Sequence, residues 1–136
     1  MRFTSALLFF FASMMNGAVA YDATSSGTLT GDNTNQSWTH TPAGTPKGAI
    51  VFVYSEGGTD VVTGVTYGGV SMTEVSGSPV NKATGEAQSA YAYFLGSGLG
   101  TGAKTVTVSV NGTGTPSYQA TCLTVTAASD TDVTTT

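Results

Sequence analysis

Charge is scarce in this chain, and positive charge scarcest of all. Only 9% of the 136 residues are Asp, Glu, Lys or Arg, four basic against eight acidic, where a globular domain carries about 25%. The formal net charge is −4; without Arg2 it is −5, with Lys47, Lys82 and Lys104 as the remaining cations. No basic stripe is available to neutralise phosphates, which argues against nucleic acid as a partner and disfavours anionic membrane surfaces. A single cysteine, Cys122, excludes an intramolecular disulfide. It lies between Thr121 and Leu123 with no base or cation nearby in sequence to lower its pKa, so it reads as a small buried hydrophobe rather than a nucleophile or an intermolecular bridge. One histidine and one cysteine do not make a zinc ligand set. No metal and no other cofactor is expected. Helical periodicity is missing beyond the first twenty residues.

The N-terminus is of a different character from the rest. Arg2 supplies a positive n-region, Ala6-Leu7-Leu8-Phe9-Phe10-Phe11-Ala12 begins an apolar stretch that runs to about Met15, and Ala18-Val19-Ala20 is an A-x-A cleavage site. Together these read as a secretory signal peptide over residues 1–20, cleaved after Ala20. The alternatives are a retained anchor or an assembly helix. The apolar run is short of the roughly 20 residues that span a bilayer, so the exported chain is expected to be secreted or held at the extracellular surface without spanning a membrane. Cleavage leaves 136 − 20 = 116 residues, 21–136, enough for one modest core.

What is plentiful in those residues is Gly, Thr, Ser and alternating apolar positions. Ala49-Ile50-Val51-Phe52-Val53-Tyr54 is apolar on both faces and predicts a central strand covered from two sides. Residues 61–67 and 70–75 predict a β-hairpin about Gly68-Gly69, a pair suited to a type I′ turn because both central residues need positive φ. On that register Val65 shares a face with Tyr67, and Val70 with Met72. Gln36, Trp38 and His40 share one face of a shorter strand. In residues 87–95 Ala90, Ala92 and Phe94 alternate with Tyr91, Tyr93 and Leu95. Val106, Val108 and Val110 point inward from residues 104–110, and a last strand covers 118–127. A first strand falls near 27–30. Turn signals stand at Gly31-Asp32-Asn33, 42–48, 56–60, 76–86, 96–102 and 111–116. The whole predicts an all-β fold, a two-sheet antiparallel β-sandwich of Ig-like or jelly-roll kind with about seven or eight strands.

The order of segments carries a resemblance. Ser37-Trp38-Thr39-His40-Thr41, then an apolar strand, then Val65-Thr66-Tyr67-Gly68-Gly69-Val70-Ser71-Met72-Thr73, then Ala92-Tyr93-Phe94-Leu95 and Thr105-Val106-Thr107-Val108-Ser109-Val110 resemble a family of β-sandwich modules of phage virion and tail proteins and of bacterial surface or secreted proteins. The likeness runs from Tyr21 to about Ala128 and rests on strands and turns, which are specific for the module and not for an activity. It implies surface display, adhesion or virion decoration rather than catalysis, and the first reading is a secreted or surface-displayed structural or adhesive module that acts through its loops and strand edges, with self-assembly or another surface or virion protein as partner. Such modules often run on for further strands, which would make this chain a truncated version. The secretory leader departs from the virion members and points to an exported protein.

Chemistry-bearing residues are few. His40 as a base would need a carboxylate and a nucleophile that the sequence does not mark; sharing a face with Trp38, it reads as a packed histidine. A glycosidase would need two facing acids, for which Glu74 and Glu86 are the candidates, yet most acids here sit in turns, where they cap and solvate. Asp130, Asp132 and Asp32-Asn33 are weak calcium donors without loop spacing. No catalytic residue is therefore assigned. Carbohydrate binding is the second reading, through aromatics that stack on sugar rings: Trp38, Tyr54, Tyr67, Tyr91 and Tyr93, with Tyr118 also on a strand, although strand aromatics are first of all packing residues. A small glycoside hydrolase comes third. Asn35-Gln36-Ser37 and Asn111-Gly112-Thr113 fit N-glycosylation, at Asn35 and Asn111.

Overall fold

The structure is a computed structural model that describes residues 19–29, 35–56, 61–81, 88–111 and 117–126. Residues 1–18 of the leader expected over 1–20, the turns at 31–33 and 57–60, Lys82, Glu86, residues 112–116 and the acids at 130 and 132 lie outside the described residues.

The described strands are β1 (Ala20–Leu29), β2 (Gln36–His40), β3 (Gly48–Glu56), β4 (Val62–Tyr67), β5 (Val70–Ser71), β6 (Thr73–Glu74), β7 (Val80–Asn81), β8 (Gln88–Leu95), β9 (Lys104–Val110) and β10 (Ser117–Thr126). They form two sheets. One has six strands in the order β1-β10-β3-β8-β6, with β7 also paired to β8; the other has four in the order β2-β9-β4-β5. Every pairing is antiparallel. The chain is thus the two-sheet antiparallel sandwich that its alternation predicts.

Between the sheets lies a core in which strand phase decides every position. Val51 and Val53 of β3, Val106 and Val108 of β9, and Tyr91 and Tyr93 of β8 are all buried. Each such valine contributes about 1.5–3 kcal/mol by leaving water. Cys122 sits among them, fully buried, and burial pushes its thiol up to about 12, so it is the small inert hydrophobe expected. The β4–β5 turn has φ 58° at Gly68 and 83° at Gly69, the two left-handed residues of a type I′ turn.

Three expectations need correction. The first strand spans Ala20–Leu29 and not only the stretch near 27–30; its Ser, Thr and Gly content hides a ten-residue strand paired along its length with β10, apart from the bulge at Asp22. The second strand of the hairpin does not run unbroken over 70–75. It divides at Met72: Val70–Ser71 pairs with β4 in the smaller sheet, and Thr73–Glu74 pairs with β8 in the larger. Met72 is buried at the crossing, its N–H donating to Val65 O at 2.9 Å, while Val75 N–H donates to Ala92 O at 2.9 Å on the far side. Val70, at the start of this segment, is exposed where Met72 is not. Third, β3 is central in its sheet, between β10 and β8, but among the described residues it is covered on one face only. Its outer face leaves Phe52 52% and Tyr54 41% exposed.

The crossing at Met72 joins the two sheets along one side of the sandwich. Along the other, β1 and β2 are the terminal strands of their sheets, and side chains make the connection.

Candidate functional site

Two features rise above packing: a buried polar chain between β1, β2 and β10, and the outer face of the larger sheet.

The polar chain contains the histidine. Trp38 Nε1–H donates to Ser25 Oγ at 2.9 Å, Ser25 Oγ lies 2.8 Å from His40 Nδ1, and His40 Nε2 lies 3.0 Å from Thr124 Oγ1. Thr124 Oγ1–H donates to Asp22 Oδ2 at 2.9 Å, and Gly44 N–H donates to Asp22 Oδ1 at 2.7 Å. For a neutral imidazole, proton counting fixes the tautomer. The threonine hydrogen goes to the carboxylate, so Thr124 Oγ1 accepts from His40 Nε2–H. Nδ1 of the neutral ring then accepts from Ser25 Oγ–H. Every donation runs one way, from the indole to the carboxylate. Burial holds the His40 pKa below its ordinary value, opposed by the charge of Asp22.

A serine, a histidine and an acid are thus brought together from chain positions the sequence did not connect. The arrangement serves the fold. His40 is fully buried, both ring nitrogens are occupied, and Ser25 Oγ receives the indole proton while giving up its own. His40 and Trp38 belong to the smaller sheet, Ser25, Thr124 and Asp22 to the larger. The chain of bonds is a tie across the side where none of the described strands passes from one sheet to the other.

Beside it stands an unsatisfied group. The ring of Tyr67 lies 5.9 Å from His40 at an interplanar angle of 58°. Its hydroxyl is buried with no hydrogen-bond partner among the described residues, and burial first, then the charges of Cys122 and Asp22, pushes its pKa up to about 12. An unpaired buried hydroxyl costs about 1–3 kcal/mol. Tyr67→Phe is therefore expected to raise the unfolding free energy by about 1 kcal/mol, measured by urea denaturation. A loss of stability would show that the hydroxyl is bonded after all.

The outer face of the larger sheet is built in three rows. Ile50 stands between Leu123 and Phe94, Phe52 between Thr121 and Ala92, and Tyr54 between Gln119 and Ala90, with Val80 beyond. An antiparallel sheet with one wet face should alternate apolar and polar; these rows carry aromatic, aliphatic and uncharged polar side chains and no ionisable acid or base. Glu56 stands at the end, between Ser117 and Gln88. A groove of about 290 Å³ runs beside Phe52, lined also by Val75, Ser78, Val80, Ala90 and Ala92. Val80 is 68% exposed at its rim.

The expected ligand-binding aromatics divide by strand phase. Tyr67, Tyr91 and Tyr93 are buried in the core and Trp38 is half-buried with its indole N–H engaged, whereas Tyr54 is exposed on the outer face. Tyr118 is also buried. Sequence reasoning missed Phe52 and Val80. Glu74 is exposed beside a hollow of about 470 Å³ at the crossing, and its proposed partner Glu86 lies outside the described residues. Asn35 and Asn111 are exposed, with Asn35 Oδ1 accepting from Val110 N–H at 3.2 Å. Among the described residues no three His, Cys, Asp or Glu side chains group as metal ligands, and no helix is long and apolar enough to cross a membrane.

The class that fold and site define is an all-antiparallel two-sheet sandwich whose larger sheet carries uncharged central rows on its outer face. Compared with protein-family models, with curated proteins and with solved structures, the chain matches none of them.

Proposed function

We propose that this chain is a non-catalytic, exported β-sandwich that works at the cell or particle surface by docking, in a structural or adhesive role. One observation carries the reading: the exposed, charge-free rows about Phe52 on the outer face of the larger sheet. Exposed apolar faces of this kind mark interaction sites, and aromatic side chains in a charge-depleted centre are the signature of an interface core. The leader sequence supports export, and the likeness to virion and surface modules supports display. Asn35 and Asn111 are glycan acceptors if the chain passes through a pathway that modifies such sites. A glycan ligand is the second reading, favoured by Phe52 and Tyr54 lying two residues apart on one exposed face.

The test compares wild type with Phe52→Glu, both labelled, for retention on the surface of exporting cells and for binding on a glycan array. Retention lost in the variant supports docking through this face. A single class of glycan bound through Tyr54 moves the assignment to the second reading. Turnover of a glycoside or ester substrate that disappears with Ser25→Ala would overturn both.

A further inference from the structure

We infer that the outer face of the larger sheet pairs with the same face of a second copy of this chain, in a closed two-fold dimer. The inference rests on the docking role proposed above and names the partner. The size of the face comes first. Four neighbouring strands of eight to ten residues, β1, β10, β3 and β8, with the two-residue β6 and β7 beside them, at about 4.8 Å between strands and roughly 3.3 Å per residue, give a projected area of about 600 Å², and side-chain relief adds to it. Stable interfaces bury about 600–1,000 Å² per partner. Six strands thus provide one standard interface.

Charge is the second argument. The chain is acidic overall, with a net charge of −4, so two copies repel unless their contact is free of like charges. The three central rows are free of them, and Glu56 stands at the margin. A basic partner would find no complementary acid in the middle of this face; an identical face meets no penalty there.

Shape is the third. A two-fold interface must be self-complementary, each feature meeting its counterpart on the same patch. Phe52 projects at 52% exposure directly beside a groove of about 290 Å³ whose walls are Val75, Val80 and Ala92. Knob and groove on one face are what two related copies exchange. Stacked sheets pack at about 10 Å, a gap that interleaved phenylalanine and isoleucine side chains fill. Edge pairing through β1 is the rival mode, and β1 discourages it: its register shifts between Tyr21 and Ala23, and a bulge on an edge blunts strand addition.

Light scattering on the purified protein, from about 1 to 100 μM, is expected to give twice the chain mass, following the interface sizes above. Phe52→Glu is expected to give the single-chain mass, with the dimer dissociation constant raised at least roughly 100-fold and the far-ultraviolet circular dichroism unchanged. Val70→Glu, which places the same charge at an exposed position of the smaller sheet, is expected to leave the dimer intact. A monomer at every concentration, an open-ended polymer, a dimer indifferent to Phe52→Glu, or one equally lost with Val70→Glu would each overturn self-pairing. A monomeric wild type still retained on cells through Phe52 overturns the second copy as partner and keeps the face as a docking site. A monomer that is not retained removes both.

Discussion

Replacing His40 with alanine is expected to lower the unfolding free energy by about 3–5 kcal/mol, close to the whole margin of a small domain, which lies at about 5–15 kcal/mol. Two losses combine. The imidazole fills space between the sheets at zero exposure, and its removal leaves a cavity. Ser25 Oγ–H loses its acceptor and Thr124 Oγ1 its donor, at about 1–3 kcal/mol for the buried threonine and less for the half-buried serine. Urea denaturation followed by tryptophan fluorescence is suited to the measurement, since Trp38 donates to Ser25 in the same chain of bonds. An effect below about 1 kcal/mol would show that the tie is not what holds β1 against β2.

The same residue sets a pH dependence whose sign follows from its burial. The folded His40 pKa lies below the ordinary value of 6.5, through desolvation and despite Asp22. Above that value both folded and unfolded chains hold a neutral ring, and the histidine contributes no slope. As pH falls through 6.5, the unfolded chain takes up a proton that the fold refuses. Stability then falls by up to about 1.4 kcal/mol per pH unit, and the fall ends once pH passes below the folded pKa. Around the ring, Asp22 acts through Thr124 and Lys104 is its register partner on β9. Tyr67 and Cys122, each pushed up to about 12, do not titrate in this range. The chain has a single histidine, so the imidazole part of the slope below pH 6.5 belongs to one group. It is expected to vanish in His40→Gln.

What the sequence makes legible is phase. Val106 and Val108 alternate with threonines, and the buried tyrosines of β8 alternate with alanines, so each strand declares its inner side without reference to its partners. The Gly68-Gly69 pair declares its turn because the positive φ it needs is local. Contacts made at long range leave no such trace. Ser25 and His40 are fifteen residues apart, and His40 and Thr124 are eighty-four. The one available signal was a polar residue in the inward phase: His40 following Trp38, and Thr124 following Tyr118, Ala120 and Cys122. The division at Met72 was hidden because a strand that changes sheets keeps its alternation while its partner changes. The run in β3 was ambiguous for a related reason. Apolar residues on both faces of a strand say that both faces are to be covered, and do not say whether the second cover belongs to this chain or to another. Here the described fold covers one face, and Phe52 and Tyr54 are the remainder.

The second large effect is expected at Tyr91, and it separates two tyrosines of one core. Tyr91 is 2% exposed on β8, and its hydroxyl oxygen accepts Val61 N–H at 2.8 Å. Val61 O in turn accepts Asn111 N–H at 2.8 Å, at the end of β9. The entry to β4 is therefore held from both sheets at once. Tyr91→Phe leaves a buried backbone N–H unpaired and is expected to cost about 1–3 kcal/mol. Tyr91→Ala removes the ring as well, adding about 3–5 kcal/mol, and is expected to yield an unfolded chain at room temperature by circular dichroism. Tyr67→Phe deletes the same atom from a site where nothing pairs with it, and its effect has the opposite sign. Equal effects of the two Tyr→Phe changes would mean that ring burial alone decides their contribution, and that the bond to Val61 does not fix how the two sheets meet.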